Sequence, residues 1–343
     1  MKLRMLVSYY FYRDTDLKTL IEAFPEPPDV FADSGAYSAY TLGGEVTVDG
    51  YAEWVNQWKH YFTAYANLDV IQNPKATLDN QRALESLGLT PLPVFHGGDP
   101  WEYYEGYLAE YPWVCLGGMV ARDKDAIMRW LVKAFTMARD ADVCLHGFGQ
   151  TNHTLLSAFP WYSVDSSSWT SGHRWGTLDL WDEKRARFVK ASIGKHASIY
   201  KHAALIRAHG GDPEILARPD CNLVNVEGKD VDLARSERQH VIAINVRAWL
   251  MFEQWLRRRH GPIGPPRGMV EPDHLRVYLA DSRGSRGVHT ETPDLGLAAQ
   301  GLKLYLSTFY SDTMRYLTGP KIYIVDGYPP HLVQASKVAA EQE

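Results

Sequence analysis

Short apolar runs alternate with helical stretches through the first half of this chain, and that alternation is what most constrains its fold. The runs cover residues 3–8, 30–32, 68–71, 92–95, 113–116, 143–145 and 161–164. Each has the length of a strand rather than of a buried helix, and each ends in a polar or glycine-rich exit. Between them, Tyr51, Trp54, Val55, Trp58 and Phe62 recur at helical spacing behind Asp49, the expected N-cap. Residues 77–87 predict a helix stopped by Gly88, and residues 103–111 and 123–139 predict two more. Strands alternating with helices imply parallel strands joined by crossover helices. Seven such units by residue 165 predict an α/β chain folded as a (β/α)8 TIM-like barrel, with residues 1–180 forming its main part.

Beyond residue 180 the rhythm weakens. Residues 183–209 read as one or two helices ending at Gly210-Gly211. Residues 236–260 predict a strong helix whose apolar face carries Val241, Ile244, Trp249, Phe252 and Leu256. Residues 297–317 predict a further helix. Residues 321–325 predict a strand, either the eighth of the barrel or part of an appendage. Residues 181–335 are therefore expected to be a helical remainder that completes the barrel and adds a helical C-terminal appendage. Residues 336–343 are expected to be a disordered tail. With 343 residues, 45% of them hydrophobic, the core is large enough for this plan or for two domains.

A net charge of -5 argues against a globally basic nucleic-acid binder, so any such contact must use a local patch. The three cysteines, Cys115, Cys144 and Cys221, are far apart and predict buried thiols in a reducing compartment. The first apolar stretch is too short for a signal peptide. No run approaches the ~18–20 apolar residues of a membrane span. The expectation is a soluble cytoplasmic protein (host cytoplasm if phage-encoded) with no membrane partner.

In a barrel of this kind the strand exits carry the chemistry. The second is Asp33-Ser34-Gly35-Ala36-Tyr37. The third contains Asp69 and Asn73. Later exits are His96-Gly97-Gly98-Asp99, Gly117-Gly118-Met119, His146-Gly147-Phe148-Gly149 and Asp165-Ser166-Ser167-Ser168. Asp33 and Asp165, far apart in sequence, can meet at one mouth. One carboxylate that attacks and one that moves a proton suit substitution at a sugar carbon. Glycines let backbone approach a flat ligand. Asp69 can accept hydrogen bonds from the N–H edge of a guanine-like ring, and Tyr37 can stack on its face. Structural roles stand beside these: Asp33, Asp69 and Asp165 as turn or cap residues, and His96 and His146 as satisfied interior histidines. The spacing of His96, His146, His153 and His173 gives no metal triad. Arg257, Arg258 and Arg259 read as a solvated helix end or a phosphate patch, and Arg174 as a phosphate contact near the site.

The order of these exits resembles the tRNA-guanine transglycosylase superfamily, including its phage and bacterial enzymes that insert 7-deazaguanines into DNA. Asp33-Ser34-Gly35-Ala36-Tyr37 is similar to the family's aspartate-serine-glycine-glycine-aromatic motif. The Gly117-Gly118 pair is similar to its base-binding glycines, and His146-Gly147-Phe148-Gly149 to the segment before its nucleophile. The resemblance covers roughly residues 3–176. It implies Asp165 as nucleophile and Asp33 as acid/base. It further implies a base-binding set of Ser34, Tyr37, Asp69, Asn73, His96, Gly97, Gly117, Gly118, Met119, His146 and Gly147. Two departures stand out. His96 takes the place of a glutamine, and the family's zinc-binding Cys-x-Cys-x-x-Cys cluster with a later histidine has no counterpart in the sequence around Cys221, so the structural zinc is expected to be absent and no cofactor is implied. Exchange of guanine in DNA for a 7-deazaguanine such as preQ0 is the activity implied. Exchange on tRNA, a barrel glycoside hydrolase and a non-catalytic base-binding module are the alternatives.

Overall fold

Seven short strands follow one another with helices between them. They are β1 (Arg4–Ser8), β2 (Asp29–Asp33), β3 (Phe62–Tyr65), β4 (Val94–His96), β5 (Trp113–Gly117), β6 (Cys144–Gly147) and β7 (Ser163–Ser166). The computed structural model describes residues 4–22, 27–119, 123–150, 152–167, 176–218, 221, 231–261, 263, 265–268, 276–280, 305–308, 314–315 and 323–326. A hairpin of β8 (Thr177–Asp182) and β9 (Arg187–Ser192), short helices and the long helix Val231–His260 come next, and then β10 (Arg276–Ala280). The fold is mixed α/β. Its main sheet has eight strands in the order β3-β2-β1-β10-β7-β6-β5-β4, with every pairing parallel. Beyond the ends of that order, Ala66 bridges Leu92 in parallel; the Leu92 N–H donates to the Tyr65 carbonyl and the Asn67 N–H to the Leu92 carbonyl, both at 2.8 Å.

Alternation along the strands divides two cores. Met5, Val7, Val30, Ala32, Val114 and Leu116 face the helices. Leu6, Phe31, Val94, Trp113, Cys115 and Tyr278 cluster on the other side. Phe31 and Trp113 meet there edge to face at 5.9 Å between centroids. Truncating either to alanine would cost about 3–5 kcal/mol.

Several local expectations change. The third strand is Phe62–Tyr65 rather than 68–71, because the helix Val48–Trp58 and a 3-10 turn end before Phe62. Residues 68–71 are held as a loop instead, with the Val70 N–H donating to Thr77 Oγ1. Thr47, not Asp49, caps Val48–Trp58, accepting from the Gly50 N–H, and Asp49 lies in the first turn. Residues 183–209 hold a hairpin turn, β9 and the helices His196–Lys201 and Ala203–Ala208 rather than one or two continuous helices. The region 297–317 contains strands Tyr305–Thr308 and Met314–Arg315, which pair with Tyr323–Asp326 in a small separate sheet, so 321–325 does not supply the eighth strand. β10 takes that place, between β1 and β7. The tail 336–343 lies outside the described residues, among which no helix is long and apolar enough to cross a membrane.

The long helix ties the hairpin to the sheet. At one end Glu253 accepts from Arg4, the first residue of β1, at 2.9 Å. Nearer its start, the buried His240 Nε2 accepts from the Asp212 N–H at 2.9 Å, and Asn245 Oδ1 accepts from the Asp179 N–H at 3.0 Å. Burial pushes the His240 imidazole down to about 4, with the Asp212 charge opposing. The unfolded chain, with its histidine near 6.5, binds more protons between these values. The contribution is therefore present above pH 6.5 and lost as pH falls toward 4, at most roughly 3 kcal/mol. His240→Asn is expected to flatten the acid-side fall in melting temperature between pH 6.5 and 4. A wild-type slope in that variant would contradict the assignment.

Candidate active site

Asp33 ends β2 on the same side as Phe31, two residues earlier, and pairs in register with Ser8 of β1. Its Oδ2 accepts the Gly35 N–H at 2.9 Å, an Asx turn that fixes the carboxyl. Gly35 has φ +77°, and a methyl group there would lie 2.4 Å from Ser8 Oγ and from Tyr10 Cβ, so the turn requires glycine. Asp33 is thus both a turn residue and a carboxylate at a strand end. Asp165 lies in β7 opposite Tyr278 and is buried. The Gly149 N–H donates to its Oδ1 at 2.8 Å. His146 Nε2 approaches the same oxygen at 3.4 Å, while His146 Nδ1 lies 2.8 Å from Ser163 Oγ. The imidazole stacks on Phe31 at 4.3 Å and is fully buried. Burial lowers its pKa, opposed by the nearby Asp165, so it sits as a neutral ring behind that carboxylate. His146 is therefore a buried ring behind Asp165, its Nε2 near the carboxylate without a hydrogen bond to it, and is not exposed to a base.

A second group lies beside the first. His96 Nε2 is 2.9 Å from Asp69 Oδ2, and Nδ1 is 3.6 Å from Asp99 Oδ2. Asp99 also accepts the His96 N–H at 3.1 Å. Burial alone would lower the His96 pKa, but hydrogen bonds and charge from Asp69 and Asp99 outweigh it and raise the ring to about 9. It is an imidazolium between two carboxylates at neutral pH. Ser34 Oγ donates to the other oxygen of Asp69 across 3.4 Å, linking this group to the Asp33 turn. Gly117 is buried under the ring, where a methyl group would meet His96 Cδ2 at 2.7 Å. Gly117→Ala is therefore expected to displace the ring. NMR titration should then show the His96 transition falling from about 9 toward 6.5; an unmoved transition would contradict this packing.

The groups share one electrostatic centre. Burial, and then the charges of Asp69 and Asp165, push the Asp33 carboxyl up to about 7. The buried Cys115 thiol is pushed up by burial and then by Asp33, Asp69 and Asp165. Three carboxylates from widely separated segments thus converge at the C-terminal ends of the strands, above Cys115. Asp33 changes protonation near neutral pH, as a proton-transfer group requires.

The remaining predicted residues divide. Gly118 is exposed beside the group, with φ +71°. Tyr37 is 57% exposed on the helix Ala36–Leu42 that follows the Asp33 turn. Asn73 is instead the N-cap of the helix Pro74–Ser86, accepting from the Ala76 N–H. The Gly97 N–H is used by the Gly117 carbonyl at 3.1 Å. Gly147 is packed against the Trp161 ring, and Met119 is buried with its Sδ accepting from Gln150 Nε2. Arg257 and Arg258 pair with Glu253 and Glu183, and Arg259 donates to the Ser157 carbonyl. This helix end lies with Arg4 at the start of β1, so the structure does not bring these arginines to the carboxylates. Arg174 and His173 lie outside the described residues.

Asp99, Ser163 and Ser8 are the site residues that sequence reasoning missed. Asp99 carried a signal: an aspartate three residues after His96 across two glycines is a turn that returns the carboxylate to the histidine. Ser8 Oγ is buried beside the Asp33 turn with no hydrogen-bond partner among the described residues. Among those residues no group of three or more His, Cys, Asp or Glu is arranged to hold a metal ion. Compared with known proteins, the chain matches no protein-family model and no curated sequence.

Proposed function

We propose that the eight parallel strands close as a (β/α)8 barrel and that the carboxylates at its mouth exchange a guanine in DNA for a 7-deazaguanine. Closure is supported by the Ala66–Leu92 bridge between the two outermost strands and by an inner apolar cluster that takes residues from strands around the whole sheet. The observation that carries the chemistry is the convergence of Asp33 with Asp165 and Asp69, with the Asp33 carboxyl raised to about 7. Asp165 Oδ1 is engaged by the Gly149 N–H and faced by His146, which leaves Oδ2 as the attacking atom.

In the first step Asp165 Oδ2 forms a bond to C1′ as the C1′–N9 bond breaks. The departing guanine keeps the electron pair and takes a proton from neutral Asp33. In the second, the Asp33 carboxylate removes the N9 proton of the incoming base. The N9 pair then forms the new bond to C1′ and expels Asp165. Two displacements at one carbon give retention. Asp69 Oδ1, the oxygen not held by His96, is the acceptor for the ring edge. DNA is favoured as the polymer because Cys221 stands without the cysteine cluster of the tRNA-acting family.

Radiolabelled guanine and preQ0, offered with single-stranded DNA, duplex DNA and tRNA in parallel, test the reading. Label is expected in DNA. Label in tRNA alone would move the chemistry to the other polymer, and label in neither would overturn base exchange.

A further inference from the structure

A site built from Asp33, Asp69, Asp99 and Asp165, on a chain of net charge -5, repels a polyanion unless positive charge lies nearby. The strongest positive stretch is not the arginine run at the end of the long helix. Residues 184–209 carry seven Lys and Arg and no Asp or Glu. They form the turn after β8, strand β9 and the helices His196–Lys201 and Ala203–Ala208. Lys184, Arg187, Lys195, Lys201 and Arg207 are exposed and make no ion pair among the described residues. His196 stacks on Tyr200 at 4.2 Å, and Tyr200 is 42% exposed, so a flat aromatic surface stands among the cations.

Packing sets where this surface stands. Its own small core joins Ile199, Ile206 and Leu216 to Val241 and Ile244 of the long helix. That helix meets the start of β1 at Glu253. From Glu253 back to His240 it rises about 20 Å, whereas β1 spans about 13 Å from Arg4 to Ser8. The short helices therefore pack on the half of the long helix remote from Arg4 and the start of β1, whereas the turn after β8 lies at its Arg258 end.

We propose that the exposed cations Lys195, Lys201 and Arg207 of the two short helices, with Tyr200 among them, form the surface that holds the phosphate backbone of a nucleic acid while its target nucleotide occupies the carboxylate site. This rests on the base-exchange reading for the identity of the polymer, but its test reads binding alone. Backbone neutralisation releases counterions, so affinity falls with salt in proportion to the number of phosphates engaged. Exposed aromatic rings add base stacking that tolerates any sequence.

The test is titration of fluorescein-labelled 20-nucleotide DNA and RNA strands with the full chain, at several salt concentrations and with no free base added. The triple variant Lys195→Glu, Lys201→Glu, Arg207→Glu is expected to bind at least ~30-fold more weakly, with the log–log salt slope reduced by about 2. The pair Lys18→Glu, Lys59→Glu, away from this surface, is expected to bind as wild type. The neutral triple Lys195→Gln, Lys201→Gln, Arg207→Gln should show the same direction at smaller size, and it guards against a folding defect in the reversed one. Unchanged affinity and slope in both triples would overturn the proposal. So would wild-type binding to phosphatidylglycerol vesicles in preference to both strands. Loss of base exchange with this binding intact would instead count against the carboxylate chemistry alone.

Discussion

Asp165→Asn is expected to lower base exchange by about 10^4-fold or more while leaving nucleic-acid binding and melting temperature near wild type. The size follows from the role. A nucleophile is not replaced by its neighbours, and comparable removals in covalent catalysis cost ~10^4–10^6 in rate. The amide keeps a carbonyl oxygen to accept the Gly149 N–H, so the strand end should hold its shape. Rapid-quench assay of labelled guanine incorporation measures the loss. A rate within tenfold of wild type would remove Asp165 from the mechanism. His146→Leu separates positioning from attack. It is expected to slow exchange by about 10–100-fold with little change in KM for the base, and His146→Gln, which keeps a donor, should recover part of that loss.

Asp33→Asn carries the second large effect, a loss of about 10^2–10^4-fold, the usual worth of a positioned proton-transfer group. Because burial and the charges of Asp69 and Asp165 raise this carboxyl to about 7, both of its forms are available near neutral pH. Wild-type exchange should therefore peak near pH 7, and Asp33→Asn should lose that peak. Stability moves the other way. The folded pKa lies above the unfolded value of 3.8, so the contribution of Asp33 is fully present below that value and is lost as pH rises through 7. Asp33→Asn is expected to melt several degrees above wild type at pH 8.5 and equally at pH 4. A variant less stable than wild type at pH 8.5 would contradict the burial of this charge.

Much of the arrangement was legible because period-two alternation and exit chemistry are local. Phe31 and Asp33 had to share a side once β2 was a strand, and the Asp-Ser-Gly turn follows from one backbone conformation. Phe62 is ambiguous because it satisfies helical spacing from Trp58 and also begins an alternating strand. The hairpin of β8 and β9 is masked for a similar reason: its alternation stands beside the helix-forming residues that follow. β10 escaped because it comes after a 30-residue helix and a proline-rich connector, far from the earlier rhythm. Which histidine meets which carboxylate depends on register across several strands. The sequence offers both His96 and His146 as base contacts, whereas the fold holds one between Asp69 and Asp99 and buries the other behind Asp165. Nothing local distinguishes these two fates.

Mass spectrometry of the protein denatured during turnover tests the central claim most directly. Single-stranded DNA is supplied without an incoming base, so the first displacement can occur but the second cannot. The account predicts a species whose mass is that of protein plus oligonucleotide less one guanine, with the attachment mapped to the peptide bearing Asp165 and absent from Asp165→Asn. Release of guanine with no covalent species, or attachment at any other residue, would contradict it.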